Sequence, residues 1–109
     1  MTAQPKNPDR ETFIKHLNEN NVSTELIERF RALPTTLTVG DSEYKLNVVM
    51  TYYSGGKTYY NYELNYYCKE TLEFLLTYKI FSNIEISINY LECELLKRKL
   101  FETECHDRL

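Results

Sequence analysis

Two histidines and three cysteines are the residues of this chain that could bind a metal or act as nucleophiles. His106 and Cys105 lie in the run Glu104-Cys105-His106-Asp107, a set of side chains that zinc accepts as ligands. A zinc site needs a second pair of ligands, and the cysteines show no CxxC spacing that would supply one. We therefore predict a solvated tail and no metal site.

The remaining candidates for chemistry are expected to have structural or surface roles. His16 lies beside the apolar stripe of the first predicted helix, so we expect it at the boundary of the core. Cys68 and Cys93 fall on the inward faces of their predicted elements, where a thiol packs as a small apolar group. Glu63 and Glu73 fall on the outward face of a predicted sheet, where a carboxylate is solvated and keeps an ordinary pKa.

Short catalytic motifs are absent from the sequence. It contains no GxGxxG, no phosphate-binding P-loop and no GxSxG. We therefore predict a protein that is not an enzyme and uses no cofactor. The alternative is an enzyme or small-ligand domain whose site is assembled from scattered residues, in a pocket between helices and sheet.

Length and charge limit the classes of function further. The 109 residues carry 13 basic and 16 acidic side chains, a net charge of -3. Folding at this length buries roughly 65% of the extended chain's surface, so we predict one domain over residues 1–109 with flexible ends at 1–7 and 102–109. A mildly acidic chain gains little from neutralising phosphates, which disfavours nucleic acid as a partner.

Cellular location is predicted from the N-terminus and the cysteines. The first ten residues are polar, the number of cysteines is odd, and no run approaches the ~20 apolar residues of a membrane-spanning helix. These features predict a cytoplasmic protein with no membrane segment.

Capping residues and apolar spacing predict two N-terminal helices. The first runs from about residue 8 to residue 19, with Asn7 as N-cap. The second begins after Ser23 and ends before Pro34. We expect the pair to form a helical hairpin that packs on a sheet.

The same helix pair could instead be a DNA-binding helix-turn-helix. In that interpretation Arg29 and Arg31 of the second helix would contact phosphates. Glu25 and Glu28 lie beside them and would repel the same phosphates. This alternative is therefore the less favoured one.

Alternation of polar and apolar residues from Glu43 to Tyr90 predicts an antiparallel sheet with one buried face. We call this the even face, because even-numbered positions of the two longest predicted strands are apolar or aromatic: Tyr44, Leu46, Val48, Met50 and Tyr52, then Tyr60, Tyr62, Leu64, Tyr66 and Cys68. The odd face is formed by the odd-numbered positions of the same strands, 43–53 and 57–68.

Two turns set the predicted strand register. Gly40-Asp41 is a two-residue hairpin signal that pairs Val39 with Ser42. A three-residue turn over 54–56, with Gly56 left-handed, pairs even positions with even positions in the two long strands.

The next two segments are predicted as strands as well. In residues 71–81 the alternation places Leu72, Phe74, Leu76, Tyr78 and Ile80 on the side of the core, although a helix there is an open alternative. Residues 84–90 alternate from Ile84 to Tyr90. A helix then starts near Tyr90 and turns Cys93, Leu96 and Leu100 toward the core. The predicted fold is α+β: an N-terminal helical hairpin, an antiparallel meander of about five strands, and a C-terminal helix on one sheet face.

Tyrosine is the residue that most distinguishes the composition, with ten copies and no tryptophan. The odd face holds Tyr53, Tyr59 and Tyr67 together with Asn61 and Asn65. Tyrosine and asparagine form surfaces that bind proteins well, because the ring provides contact area at little entropic cost and the amide adapts its hydrogen bonds. The same tyrosines could instead only pair across strands, or stack nucleic-acid bases.

The favoured function is therefore a small protein-binding module of the inhibitor, immunity or adaptor type. Its partner is another protein of unknown identity, and the residues expected to contact it are Tyr53, Tyr59, Asn61, Asn65 and Tyr67. A regulator that binds nucleic acid through the helix pair or the odd face is the alternative. Leu91 and Leu95 lie off the main stripe of the last helix and are a possible homodimer contact.

Overall fold

A five-stranded antiparallel sheet and three helices make up the part of the chain that the computed structural model describes, residues 2–55 and 59–101. The elements are β1 (Thr2–Lys6), α1 (Arg10–Glu19), α2 (Thr24–Arg31), β2 (Thr36–Val39), β3 (Ser42–Ser54), β4 (Tyr59–Cys68), β5 (Glu73–Phe74) and α3 (Ile84–Lys97). The predicted α+β class is confirmed. None of the three helices described has both the length and the apolar run that crossing a bilayer requires.

The sheet is built around the long hairpin of β3 and β4. Its strand order is β1-β3-β4-β5, and β2 pairs with β3 on the same edge as β1. The N-terminal residues 2–6 form a strand that was not predicted: β1 pairs with β3 from Thr2 opposite Ser54 to Lys6 opposite Met50. The sequence of β1 lacks apolar alternation, so the backbone edge of β3 specifies this strand rather than its own side chains.

Both predicted hairpins have the expected parity of register. Val39 pairs with Ser42 across a turn in which Gly40 has φ +61°, the positive value that the turn requires. In the long hairpin, Val48 lies opposite Leu64, so even positions pair with even positions. The connection is longer than three residues, since Tyr53 pairs with Tyr59, and the predicted left-handed Gly56 lies outside the described residues.

The core lies between the even face and the helices. Phe13 and Leu17 of α1, Phe30 of α2 and Ile88 of α3 are fully buried, in one cluster with Val48, Met50, Tyr62, Leu64 and Tyr66 of the sheet. The α3 helix packs on β4. All three helices therefore cover the same face of the sheet.

Local polar contacts fix the helix ends. The N-cap of α1 is Asp9, whose carboxylate accepts a hydrogen bond from the Thr12 amide, and not Asn7 as predicted. The N-cap of α2 is Ser23, as predicted. Arg10 donates to the carbonyls of Phe30, Arg31 and Leu33, so a cation at the start of α1 satisfies the carbonyl end of α2.

Residues 71–81 form neither the predicted strand nor the alternative helix. Only Glu73–Phe74 pairs as a strand, and Phe81 forms one isolated bridge with Tyr62. Four positions predicted to face the core, Leu72, Phe74, Tyr78 and Ile80, are exposed, whereas Leu76 is buried as predicted. Leu72 has φ +60°, which ends any regular strand at that point.

The segment predicted as a last strand, residues 84–90, is the first half of α3. Asn83 caps it by accepting hydrogen bonds from the amides of Glu85 and Ile86. The buried stripe is Ile84, Ile88, Leu91 and Leu95, spaced four, three and four residues apart. Leu91 and Leu95 are fully buried, so their proposed dimer contact is wrong.

The other side of α3 is exposed, although it was predicted to face the core. Cys93 is exposed rather than in the core, and Leu96 retains 36% exposure. Cys68 is fully buried, as predicted.

Substitution of two leucines of α3 tests this assignment of faces. We expect Leu91→Ala to lower the free energy of unfolding by about 2–5 kcal/mol, because it leaves a cavity in the core. Leu96→Ala is the matched control and should cost less than about 1 kcal/mol. Urea denaturation followed by circular dichroism measures both, and equal losses would contradict the assignment.

Candidate functional site

The odd face of the β3–β4 hairpin carries aromatic pairs at both ends. At one end, Tyr53 and Tyr59 are direct cross-strand partners, and their rings stack with centroids 4.9 Å apart and planes 12° apart. The Tyr59 side chain remains 40% exposed. The stack therefore contributes to strand pairing and still presents aromatic surface to solvent.

The second aromatic pair lies where β4 meets β5. Tyr67 and Phe74 are opposite each other, with ring centroids 4.9 Å apart. An open groove beside them is lined by Tyr67 and Leu72 together with Glu43, Lys45, Lys69 and Glu70. Phe74 and Leu72 were predicted to lie in the core, but they extend the apolar surface of the odd face instead.

Leu72 combines two unfavourable features. Its φ of +60° lies in the left-handed region, where a leucine is less stable than glycine or asparagine. Its side chain is 71% exposed and lines the groove beside Tyr67. Neither feature helps the chain to fold, so this position is a candidate for contact with a partner.

The two asparagines predicted on this surface have different environments. Asn61 is half-buried, whereas Asn65 is only 1% exposed. The Asn65 Oδ1 atom accepts from the amides of Tyr66 and Leu76, and Nδ2 donates to the Leu76 carbonyl at 3.2 Å. Asn65 therefore holds the segment after β5 to the sheet, and both its oxygen and its nitrogen already have partners within the chain.

Glu63 departs most from its expected environment. It lies opposite Val49 in the centre of the odd face and is 5% exposed, not solvated as predicted. Its Oε2 atom is buried without a hydrogen-bond partner among the described residues. Burial raises the pKa of Glu63, because removal from water disfavours the charged carboxylate.

The buried titratable pair on the even face has a structural environment. His16 Nε2 lies 2.9 Å from the hydroxyl oxygen of Tyr62, and the Asn20 amide nitrogen lies 3.3 Å from Nδ1. An amide nitrogen only donates, so this contact places the ring proton on Nε2, which donates to Tyr62. Burial lowers the pKa of His16 and raises that of Tyr62 to about 12.

The arginines of the helix pair form ion pairs with acidic side chains. Arg29 lies 2.5 Å from a carboxylate oxygen of Glu92 in α3 and also donates to Asn89. Arg31 lies 3.8 Å from Glu11 and 3.9 Å from Glu28. The charges that a DNA-binding helix pair would need are thus largely compensated within the chain.

Metal ligands do not converge in the described part of the chain. No group of three His, Cys, Asp or Glu side chains there could hold a metal ion. The run Glu104–Asp107, which contains the remaining cysteine and histidine, lies outside the described residues.

Comparison with known proteins adds no relative to this description: no family model, curated protein or solved structure matches the chain.

Asparagine substitutions test which amide is structural. We expect Asn65→Ala to lower the free energy of unfolding by about 1–3 kcal/mol, because the amide and carbonyl of Leu76 lose their buried partner. Asn61→Ala on the same face should change it by no more than about 0.5 kcal/mol. Urea denaturation compares the two variants, and equal effects would contradict the structural role of Asn65.

The His16 environment predicts an acid-sensitive contribution to stability. Since the pKa of His16 in the folded protein is below the ordinary 6.5, the unfolded chain binds this proton first, and the free energy of unfolding falls as pH drops below 6.5. Glu63 contributes in the opposite direction: its pKa is raised above 4.5, so its share of stability is lost as pH rises through that raised value. Both effects are measurable by denaturation between pH 4 and pH 8.

Matched variants separate the two groups. His16→Gln, measured in the Glu63→Gln background, should remove the loss of stability below pH 6.5. If the double variant loses as much stability below pH 6.5 as Glu63→Gln alone, a group other than His16 causes the loss.

Proposed function

We propose that this chain is a non-enzymatic module that binds another protein through the odd face, as an inhibitor, an immunity protein or an adaptor does. The observation that carries the proposal is the pair of partly exposed aromatic contacts, Tyr53–Tyr59 and Tyr67–Phe74, on the sheet face opposite the helices. Exposed aromatic clusters with a polar surround are typical of protein-binding surfaces.

The proposed contact surface, which we call the docking face, consists of Tyr53, Tyr59, Asn61, Tyr67, Leu72 and Phe74. Asn65 is left out of it because its amide is buried and used by Leu76. Tyr59 and Tyr67 are eight residues apart in β4, roughly 26 Å at the usual rise of a strand. A standard interface covers about 800 Å² on each partner, and a patch of that area is about as wide as the distance from Tyr59 to Tyr67.

The charges of the docking face give nucleic acid less support than protein. Lys45 and Lys69 border the groove at Tyr67, but Glu43 and Glu70 border it as well. A single strand that stacks its bases on tyrosines also needs a basic track for its phosphates. Binding to nucleic acid through its phosphates would weaken steeply as salt is added. This salt dependence distinguishes the nucleic-acid alternative from the proposed protein partner.

The enzyme alternative has a specific weakness. The titratable pair between helices and sheet, His16 and Tyr62, is buried within the aromatic core. The groove described above lies at the edge of the odd face instead.

We also propose that the module works inside the cell. Cys68 and Cys93 are free thiols, and Cys93 is exposed. An exposed free thiol suits a reducing compartment.

Alanine variants of the docking face test the proposal. The wild-type protein and the double variant Tyr59→Ala/Tyr67→Ala are used as matched baits in lysate of the source cells, with and without nuclease. We expect the wild type to retain a protein after nuclease treatment and the double variant to lose at least about nine-tenths of it, since central aromatics dominate interface energies.

Tyr78→Ala is the control, because Tyr78 is exposed but lies outside the docking face. Circular dichroism and denaturation establish that each variant is folded. Retention of the same partner by the double variant would refute the docking face, and a partner lost on nuclease treatment would favour the nucleic-acid alternative.

A further inference from the structure

One outer edge of the sheet is formed by residues 72–80, which we call the edge segment. It runs along β4, from Glu73 opposite Cys68 to the residue before Phe81, which bridges to Tyr62. Four of its apolar side chains are exposed: Leu72, Phe74, Tyr78 and Ile80. A row of exposed apolar side chains along a sheet edge is typical of a surface that associates with another chain.

The backbone of the edge segment has free hydrogen-bonding groups. Tyr62 and Phe81 exchange two backbone hydrogen bonds, so the even-numbered residues of β4 direct their backbone groups toward this edge. Tyr67 therefore directs its groups toward β3, and Phe74, which lies opposite it, directs its amide and carbonyl away from the sheet. Tyr78 makes no backbone hydrogen bond with the described residues. A second strand could bond to both positions.

The free edge of β1, at the other end of the strand order, is less suited to pairing. Leu46 of β3 donates to the carbonyl of Thr35, so the even-numbered residues of β3 direct their backbone groups toward β1 and β2. Pro5 lies opposite Thr51 and therefore faces outward, where it has no amide proton to donate. The edge segment contains no proline.

The charged side chains of the edge segment lie on the helix side of the sheet. Glu73 is opposite Cys68, which belongs to the even face, and the Nζ atom of Lys79 lies 5.7 Å from the ring centre of Tyr90 in α3. Both charged residues are exposed, and neither takes part in an ion pair among the described residues.

The exposed apolar side chains lie on the other side, with the odd face. The Phe74 ring contacts Tyr67, and Leu72 lines the groove beside the same tyrosine. Tyr78 and Ile80 alternate with Lys79 and Phe81, whose side chains are on the helix side, so alternation places them in line with Phe74.

The order of these residues is self-complementary about Leu76. In an antiparallel pair of two copies centred on Leu76, each residue faces the residue equally far beyond that leucine in the second copy. The facing pairs are Leu72 with Ile80, Glu73 with Lys79, and Phe74 with Tyr78. Apolar side chains thus meet on the odd side and opposite charges meet on the helix side, whereas a parallel pair in the same register would place Glu73 beside Glu73.

We propose that two copies of this chain associate edge to edge through the edge segment, antiparallel around a two-fold axis at Leu76. Each facing pair then occurs twice, as in any isologous interface. The two sheets join into one continuous sheet, with both odd faces on the same side.

This association goes beyond the proposed function and does not depend on it. Tyr53, Tyr59 and Tyr67 remain uncovered in each copy, so the dimer presents two docking faces side by side. Leu72 and Phe74 lie at the seam, where they extend one docking face toward the other.

The first experiment measures self-association of the full chain. The edge segment is short compared with the roughly 20–30 residues that each side of a standard interface uses, so we expect a weak, reversible dimer. Sedimentation equilibrium of the wild-type protein from about 1 to about 500 µM determines its dissociation constant. A protein that stays monomeric over this range would overturn the inference.

Charge variants test the register. Lys79→Glu or Glu73→Lys places like charges opposite each other in both symmetric pairs, so each should raise the dissociation constant at least about tenfold. The double variant Glu73→Lys/Lys79→Glu should restore it to within about threefold of wild type. An equal mixture of the two single variants should form a heterodimer, because each supplies the charge that the other lacks.

Two isoleucines test the apolar side of the interface. Ile80 of the edge segment and Ile86 of α3 are equally exposed, at 49%. Ile80→Ala should raise the dissociation constant at least about fivefold, because it loses its contact with Leu72 of the second copy. Ile86→Ala is the matched control and should leave the constant unchanged, and circular dichroism establishes that both variants are folded.

The outcomes separate this inference from the docking face. A dimer that resists the single charge variants, or that Ile86→Ala weakens as much as Ile80→Ala, is held by another surface and would overturn the inference. Lys79→Glu should be monomeric and still capture the proposed partner. Tyr59→Ala/Tyr67→Ala should lose that partner and still dimerise, so either proposal can fail while the other stands.

Discussion

The pairing of even positions with even positions between β3 and β4 is the constraint on which the rest of the structure depends. Because side chains alternate along a strand, this parity places Val48, Met50, Tyr62 and Tyr66 on one face and leaves Tyr53, Tyr59 and Tyr67 on the other. A slip by one residue would turn tyrosines, asparagines and Glu63 toward the helices. The core and the candidate site are therefore two results of a single register.

Polar side chains on the odd face serve two different purposes. Asn65 completes the hydrogen bonds of an irregular segment, and so replaces the strand pairing that Leu76 does not make. Glu63, two residues before it, is equally enclosed but forms no such bond. Adjacent positions of one strand face thus include a side chain that the fold needs and a side chain that it tolerates.

The parts of the fold that local chemistry determines could be predicted from the sequence. Ser23 as a cap, the Gly40 turn and the parity of the long hairpin each depend on a few neighbouring residues. The segment 84–90 could not be assigned by alternation, because Ile84 and Ile88 fit a strand and a helix equally well. The decisive signals were the Asn83 cap and the continuation of the stripe to Leu91 and Leu95.

The candidate site was predictable to a similar extent. Alternation alone placed Tyr53, Tyr59 and Tyr67 on the outer face. It could not show that Asn65 and Glu63 are enclosed there, because their burial depends on long-range contacts such as the one between Asn65 and Leu76. Phe74 was missed for the same reason: its exposure follows from the turn at Leu72, whose positive φ no local residue type indicates.

The location of all three helices on one side of the sheet also determines where the protein can tolerate substitutions. The buried cluster between the sheet and the helices supplies most of the apolar burial, and Tyr53, Tyr59 and Tyr67 are not among its residues. Substitutions at positions such as Tyr59 and Phe74 remove a cross-strand ring contact but leave that core intact, so the fold can tolerate them. The molecule is in this respect a scaffold whose recognition specificity can diverge, naturally or by design, while its architecture is kept.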